Sequence, residues 1–194
     1  MTAYPADATV ASEPTFIDFL LDETGSMQSC HGATVTGFNS FLAEQREVGG
    51  DCFFTLSKFD SSGIKTPYQN LRLESVSDLS FFPRASTNLF DAVGGRVTEI
   101  LSQDRQGRSL VVVLTDGDEN ASQTFRTAAQ VKEQVDQALA KGVNFLFFGA
   151  GPRSKSQALA MGFPESTISI FDTREMGATM MNASAQTRAF RVGA

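Results

Sequence analysis

Eight oxygen-bearing side chains stand where apolar runs of the sequence end or where a helical segment begins. They are Asp22, Glu23, Thr24, Ser26, Asp60, Thr87, Asp116 and Asp118. Carboxylates and hydroxyls with no Cys or His among them form a hard-oxygen site, which suits Mg²⁺, Mn²⁺ or Ca²⁺ and suits zinc poorly. The side-chain types therefore predict a divalent cation as cofactor, provided that the fold brings these residues together.

The spacing within the first group supports one shared ion. Alternate side chains of an extended turn point the same way, so we expect Asp22, Thr24 and Ser26 to face together. Glu23 and Gly25 then point elsewhere, and Gly25 lets the backbone turn tightly enough for both hydroxyls to reach one ion. These three side chains are predicted to form one part of the site.

Short apolar runs alternate with segments of helical period, which is typical of a parallel sheet covered on both faces. The predicted strands are residues 16–21, 53–59, 110–114, 143–148 and 167–171. The predicted helices are residues 33–45, 89–101 and 124–141, with weaker candidates at 154–161 and 174–190. Two short runs within residues 64–76 predict an antiparallel hairpin at the sheet edge. The fold class is α/β, a doubly wound, mostly parallel sheet with an antiparallel edge strand and helices on both faces.

This fold class gives the polar residues a common place. Ligands of parallel α/β sheets bind beyond the carboxyl ends of the strands. Asp22, Asp60 and Asp116 each follow a predicted strand, and Thr87 precedes the predicted helix at Leu89. We therefore expect them at one rim of the sheet.

Length and composition indicate one soluble globular domain. The chain has 194 residues, of which 41% are hydrophobic and 20% are charged, and these values exclude collagen-like, disordered and coiled-coil classes. Residues 1–14 mix Ala, Pro, Ser and Thr without periodicity and are predicted to be a flexible leader. Residues 15–194 are predicted to form a single domain.

Charge and hydropathy argue against two classes of partner. The chain has 16 basic and 22 acidic residues, a net charge of -6, and no basic cluster that could track a phosphate backbone, so nucleic acid is not an expected partner. No stretch approaches the roughly 20 apolar residues of a membrane span. The first 13 residues lack the basic start and apolar core of a signal peptide, and a cytoplasmic location is expected.

The cysteines and the histidine do not predict a site of their own. Cys30 and Cys52 lack Cys-x-x-Cys spacing, and His31 is the sole histidine, so a zinc set is incomplete. Two reduced thiols are expected. His31 is predicted to be an exposed residue at a helix start.

Five other residues receive structural predictions. Phe38 and Phe41 are expected in the core because of their helical spacing. Glu119 and Asn120 are expected in an acidic surface turn. Asp18 lies within the first predicted strand, where an unpaired carboxylate would be costly, and the sequence indicates no partner for it.

The ordered set of motifs resembles the metal-ion-dependent adhesion site of von Willebrand factor type A domains. The set comprises Asp22-x-Thr24-x-Ser26, Thr87 within Ser-Thr-Asn-Leu-Phe-Asp-Ala, and Asp116 within Leu-Thr-Asp-Gly. The resemblance spans residues 15–171. It extends to Gly-Phe-Asn-Ser-Phe at 37–41 and to Phe-Asp at 59–60, which are similar to bacterial and phage-type members.

This resemblance implies a Rossmann-like domain with particular roles for five residues. It implies that Thr24 and Ser26 coordinate the cation through their hydroxyls, and that Thr87 does so directly or through water. It implies that Asp22 and Asp116 hold coordinated waters or bind directly. The open coordination position of such domains is usually filled by a carboxylate of another protein, and neutral hydroxyls leave the ion electrophilic enough for that.

The implied function is metal-dependent protein binding without catalysis. The partner would present a carboxylate and could be an AAA-type ATPase or an assembly component. Glu23, Asp60 and Asp118 are expected to shape the rim that the partner touches, and their acidity would disfavour an all-anionic partner surface. The pattern leaves the oligomeric state open.

One departure from the family pattern and two alternative functions remain. Arg84-Ala85-Ser86 precedes Thr87 where members commonly have glycine, so the loop is expected to be less flexible. The strand-Asp22-Glu-Thr-Gly-Ser motif also resembles the aspartyl-phosphate loop of Mg²⁺-dependent phosphatases, with Asp22 as nucleophile. A purely structural or assembly protein with a vestigial metal site is the other alternative.

Overall fold

The computed structural model describes residues 13–193, in which six strands and five α-helices alternate except for one pair of consecutive strands. The strands are β1 Thr15–Asp22, β2 Cys52–Asp60, β3 Gly63–Arg72, β4 Arg108–Thr115, β5 Asn144–Ala150 and β6 Ile168–Phe171. The helices are α1 His31–Glu47, α2 Leu89–Ser102, α3 Ala128–Ala140, α4 Pro152–Ala160 and α5 Met176–Val192. Most of the predicted leader, residues 1–12, lies outside the described residues.

The strands form one sheet in the order β3-β2-β1-β4-β5-β6. All neighbouring strands are parallel except β2 and β3. The predicted doubly wound α/β fold with an antiparallel edge strand is thereby confirmed. The chain order reverses between β1 and β4, and such a switch point leaves a crevice beyond the carboxyl ends of the two strands.

The edge strand differs in detail from its prediction. Residues 64–76 were expected to contain two short runs, whereas β3 is one strand that pairs with β2, with register shifts on either side of Leu56. Pro67 interrupts the apolar pattern but not the strand, because an edge strand needs only half of its N–H groups for pairing.

The two faces of the sheet bury different helices. Helices α1 and α5 cover one face, and α2, α3 and α4 cover the other. Neighbouring residues of β1 point to opposite faces, so Phe19 joins the first core and Leu20 the second. Phe38 and Phe41 of α1 are buried in the first core, as predicted.

Helix α3 begins later than its apolar period predicts. The Thr127 hydroxyl accepts a hydrogen bond from the Gln130 N–H, and the Gln130 side chain accepts from the Thr127 N–H, which together form a capping box. Residues 124–127 therefore belong to the loop that follows β4. Asn120 and Ala121 of the same loop form hydrogen bonds with the backbone of Thr87.

Asp18 has two partners that are distant in sequence. Its carboxylate lies 2.6 Å from Arg96 Nη2 and 2.5 Å from Arg105 Nη1, and all three side chains are at most 6% exposed. Arg96 lies on α2, and Arg105 lies on the loop between α2 and β4. The buried charge is therefore paired, and it ties α2 and its loop to the centre of the sheet.

His31 and the two cysteines are partly or fully buried. His31 does begin α1, but it is half-buried rather than exposed; its Nε2 lies 2.9 Å from the Phe81 carbonyl oxygen, and its ring stacks on Phe81. Cys30 and Cys52 are buried free thiols, and burial raises the pKa of Cys52 to about 11.

Among the helices within residues 13–193, none has both the length and the apolar character of a membrane span.

Candidate metal centre

The ends of β1 and β4 meet at the switch point through Asp22 and Thr115. The Thr115 hydroxyl donates to Asp22 Oδ2 at 2.6 Å, and the Thr24 backbone N–H donates to Asp22 Oδ1 at 2.8 Å. Asp22 and Thr115 are fully buried. Both carboxylate oxygens are thus held in place by the protein, although each keeps a lone pair for a water or a cation.

Thr24, Ser26 and Asp116 form a chain of close oxygens beside Asp22. The hydroxyl oxygens of Thr24 and Ser26 are 3.2 Å apart, and the Ser26 hydroxyl donates to Asp116 Oδ1 at 2.6 Å. Neighbouring ligands of an octahedral Mg²⁺ stand about 3.0 Å apart, because each lies about 2.1 Å from the ion at a right angle to the next. The observed separations lie on either side of that value, so these oxygens fit one small cation.

Thr87 reaches the same place from the loop before α2. Its N–H donates to Asn120 Oδ1, and its carbonyl accepts from the N–H groups of Asn120 and Ala121. Its hydroxyl oxygen would stand 2.5 Å from a β-carbon added to Gly117. The hydroxyl therefore occupies the space that the glycine leaves next to Asp116.

The fold thus brings all five predicted ligand residues to one rim. The set contains two carboxylates and three hydroxyls, and the described part of the chain holds no group of three or more His, Cys, Asp or Glu residues that could bind a metal. A cation here would therefore need hydroxyls and waters in addition to the two carboxylates. The buried amide oxygen of Asn88, next to Thr87, has no hydrogen-bond partner within residues 13–193, which is a common setting for ordered water.

The electrostatics of the two carboxyls also fit a cation. Burial raises the pKa of Asp22 to about 6, against the hydrogen bonds from Thr115 and Thr24 that lower it. Burial likewise raises the pKa of Asp116, against the hydrogen bond from Ser26. A divalent cation would favour the ionised form of both groups.

Two of the three predicted rim residues lie beneath the surface. Glu23 is 3% exposed and is paired with Lys58 Nζ at 2.7 Å, so the prediction that a partner touches it was wrong. Asp60 is also 3% exposed, and it accepts from Ser62 and from Arg84 Nε. Side chains alternate in direction at the end of the strand, so Glu23 points away from the candidate ligands and toward Lys58 of the neighbouring strand β2.

Asp118 is the predicted rim residue that reaches the surface. Its side chain is 41% exposed and lies 3.0 Å from Arg153 Nε. Arg153 belongs to the first turn of α4, which follows β5. The pair therefore connects the loop after β4 to the loop after β5.

Residues that the sequence analysis did not assign to the site hold its loops in place. Thr115 orients Asp22, and Asn120 binds Thr87. Glu119 accepts from the backbone N–H groups of Phe90, Ala121 and Ser122. A run of Asp, Glu and Asn in a turn is the available signal, because short polar side chains commonly satisfy nearby backbone N–H groups.

The loop before Thr87 contains a strained residue. Ala85 has φ of 60°, a left-handed conformation that favours glycine. Its carbonyl accepts from the Gly25 N–H at 3.1 Å, and Gly25 lies between the candidate ligands Thr24 and Ser26. The position at which the chain departs from the family's glycine pattern thus keeps a glycine-like conformation.

Comparison with known proteins identifies the family. The family model of the von Willebrand factor type A domain matches residues 17–180. The chain belongs to this family. No curated protein is significantly similar in sequence to this von Willebrand factor A domain.

Solved structures share the fold at low sequence identity. The pilus adhesin SpaC from Lactobacillus rhamnosus GG, in its open conformation, has a TM-score of 0.73 and 14% identity, covering 91% of this chain and 30% of SpaC. Proximal thread matrix protein 1 from the mussel byssus, with a zinc-occupied MIDAS motif, has a TM-score of 0.60 and 14% identity, covering 92% of this chain and 49% of that protein. The A domain of the pilus tip protein Mfa5 from Porphyromonas gingivalis has a TM-score of 0.65 and 6% identity, covering 91% and 95%.

Proposed function

We propose that this von Willebrand factor A domain binds an acidic side chain of a partner protein through a divalent cation and catalyses no reaction. The proposal depends chiefly on the 2.6 Å contact between Ser26 and Asp116, because candidate ligands that follow β1 and β4 are then close enough to share one ion. Mg²⁺ is the proposed cation, with Mn²⁺ or Ca²⁺ as substitutes, because the donor set contains only oxygen.

The hydroxyl and carboxylate residues would have different roles in holding the ion. Thr24, Ser26 and Thr87 would offer hydroxyl oxygens, and the carboxylates of Asp22 and Asp116 would bind coordinated waters or the ion itself. When bound, the cation would supply an electrophilic position for a carboxylate from outside. The zinc-occupied MIDAS motif of the byssus protein supports a divalent cation at this place in the fold.

An exposed aromatic side chain supports a protein as the partner. Phe82 is 69% exposed, and its N–H donates to Glu23 Oε1, so it lies on the loop that borders the ligand residues. Exposed aromatic side chains are common anchors in protein interfaces. An AAA-type ATPase or an assembly component, met in the cytoplasm, is the partner class that we propose.

Thermal unfolding with and without cation tests the proposal. Mg²⁺ or Mn²⁺ at about one hundred times its Kd should stabilise the native state by about 2.7 kcal/mol, which is on the order of 5 °C for this chain length. Replacing both Thr24 and Ser26 by Ala should remove the shift and leave the fold intact. Ser29→Ala, an exposed serine of the same turn, is the matched control and should keep it.

A pull-down with and without chelator then tests the partner. We expect the protein to capture a partner in Mg²⁺ and to release it in EDTA. The double variant should capture nothing in either buffer, and Ser29→Ala should behave as the unmodified chain. Capture that is equal in both buffers would contradict a metal-dependent contact.

The enzymatic alternative makes a different prediction. An aspartyl nucleophile must be reached by its substrate, whereas Asp22 is fully buried with both oxygens hydrogen-bonded. Lys58 binds Glu23 and the Ser80 carbonyl rather than Asp22. Turnover of a generic phosphate ester in Mg²⁺, lost in Asp22→Asn, would nevertheless overturn the binding proposal.

A further inference from the structure

Two exposed arginines border the loops that carry the proposed ligands. Arg84, with a side chain 52% exposed, donates its N–H to the Glu23 carbonyl at 2.8 Å. The next residue, Ala85, accepts from the Gly25 N–H. Arg84 therefore lies beside the segment that contains Thr24.

The second arginine borders the other ligand loop. Arg153 has a side chain 84% exposed, and its Nε lies 3.0 Å from Asp118 Oδ2. Asp118 is two residues after Asp116. An exposed guanidinium thus borders each of the two loops that the contact between Ser26 and Asp116 joins.

The rim exposes two guanidinium groups, whereas an acidic rim was expected from the sequence. Asp60 is buried beneath Arg84, so the solvent meets the guanidinium and not the carboxylate. Asp118 is half as exposed as its partner Arg153. A guanidinium has five N–H donors, so the contact to one aspartate leaves donors for a second carboxylate.

We propose that the partner contacts this face through an acidic segment with at least two carboxylates, one for the cation and another for Arg84 or Arg153. This rests on the proposed function, because the first carboxylate needs the cation. The net charge of -6 opposes a long phosphate polyanion, whereas a short acidic segment of a protein meets only the local rim. A second charge contact beside the cation would favour one orientation of the segment.

Two synthetic peptides in Mg²⁺ test the inference. Both are capped at the ends and seven residues long; the first has one Glu among Gly and Ser, and the second has Glu at positions two, four and six among Gly. The second peptide has three carboxylates that could bind the cation against one in the first, which by itself gives an advantage in affinity of about threefold. We expect the ratio of the two affinities to be about tenfold, because the remaining carboxylates also contact the arginines. Fluorescence anisotropy of labelled peptides measures the ratio.

Arginine variants test whether the higher affinity of the second peptide comes from the two arginines. Arg153→Gln should lower the ratio, and the double variant with Arg84→Gln should bring it to about threefold, the statistical value. Arg72→Gln is the matched control, because Arg72 is also an exposed, aspartate-paired arginine but lies at the opposite end of the sheet, paired in register with Phe53. It should keep the full ratio. If Arg84→Gln misfolds, Arg153→Gln alone still tests the inference, since that side chain is 84% exposed.

The outcomes separate this inference from the proposed function. Metal-dependent binding of the single-carboxylate peptide, with a ratio of about three in the unmodified chain, would overturn the inference and leave the proposed function standing. A tenfold ratio that survives both arginine changes would also overturn it. Failure of Mn²⁺ and of both peptides to bind would overturn the proposed function itself. Raising the salt concentration should reduce the ratio, because exposed charge pairs are screened.

Discussion

The hydroxyl oxygen of Thr87 stands 2.5 Å from the point that a β-carbon on Gly117 would occupy. Real β-carbons do not come this close to an oxygen, so any side chain at position 117 must displace the threonine. Thr87 is 3% exposed and its backbone is held by Asn120, which leaves little room to move. The glycine after Asp116 is therefore a condition for the position of the Thr87 hydroxyl.

Gly117→Ala should weaken cation binding at least tenfold, which corresponds to about 1.4 kcal/mol. The reason is that the methyl group pushes the Thr87 hydroxyl away from the other ligands. Calorimetric titration with Mn²⁺ measures the change. Gly95→Ala in α2 is the control, because a β-carbon there has no neighbour within 4 Å; it should leave the affinity unchanged. Equal affinities in both variants would remove Thr87 from the proposed ligand set.

Ala85→Gly should stabilise the protein by up to about 1 kcal/mol. Glycine relieves the left-handed strain at φ of 60°, and the greater freedom of the unfolded glycine offsets part of that gain. Urea unfolding measures the free energy. Ala33→Gly, on the exposed face of α1, should instead lose about 1 kcal/mol, because glycine is unfavourable within a helix. A similar loss in both variants would show that Ala85 is not strained.

Asp18→Ala should destabilise the protein by about 3 to 5 kcal/mol. The change leaves Arg96 and Arg105 buried without their carboxylate, and breaking one side of a buried ion pair is costly. Asp51→Ala is the control, because the pair of Asp51 and Arg72 is more than half exposed and should contribute less than about 1 kcal/mol. Both free energies of unfolding can be measured in urea, and a small loss at Asp18 would contradict this account.

The contribution of Asp22 to the stability of the metal-free protein should fall as the pH rises from about 4 to about 6. Burial raises the pKa of Asp22 in the folded state from its ordinary 3.8 to about 6, so the folded state binds more protons than the unfolded state in this window. The contribution is on the order of 3 kcal/mol, full below pH 3.8 and lost as the pH passes 6. Excess Mg²⁺ should flatten the decline, because the cation stabilises the ionised carboxylate.

Comparison with Asp22→Asn isolates that group from the other carboxyls. The asparagine cannot titrate, so unfolding in chelator should give a difference between the two proteins that changes with pH only between about 4 and 6. Cation should not stabilise the variant as it stabilises the unmodified chain. A constant difference between about pH 4 and pH 6 would mean that burial does not raise the pKa of the Asp22 carboxyl.

Local residue patterns were sufficient to predict the elements and the place of the candidate site. The strands β1 and β4 are nearly continuous apolar runs, because both of their faces are buried. Parallel strands end at the same edge, so Asp22 and Asp116 could be assigned to one rim before any distance was known. Helix α3 was the poorer prediction, since a capping box at Thr127 and not the apolar period sets its start.

The pairing of the charged residues depended on the three-dimensional arrangement. Asp18 meets Arg105 across 87 residues of sequence, and Glu23 meets Lys58 across 35. The periodicity of a segment indicates which of its faces is buried, because that is a local property of a strand or helix. Which charges meet depends on strand order and register, and these arise only when distant segments pack. The exposed guanidinium groups of Arg84 and Arg153 are a product of that packing, because Asp60 is buried beneath Arg84 and Asp118 is less exposed than Arg153.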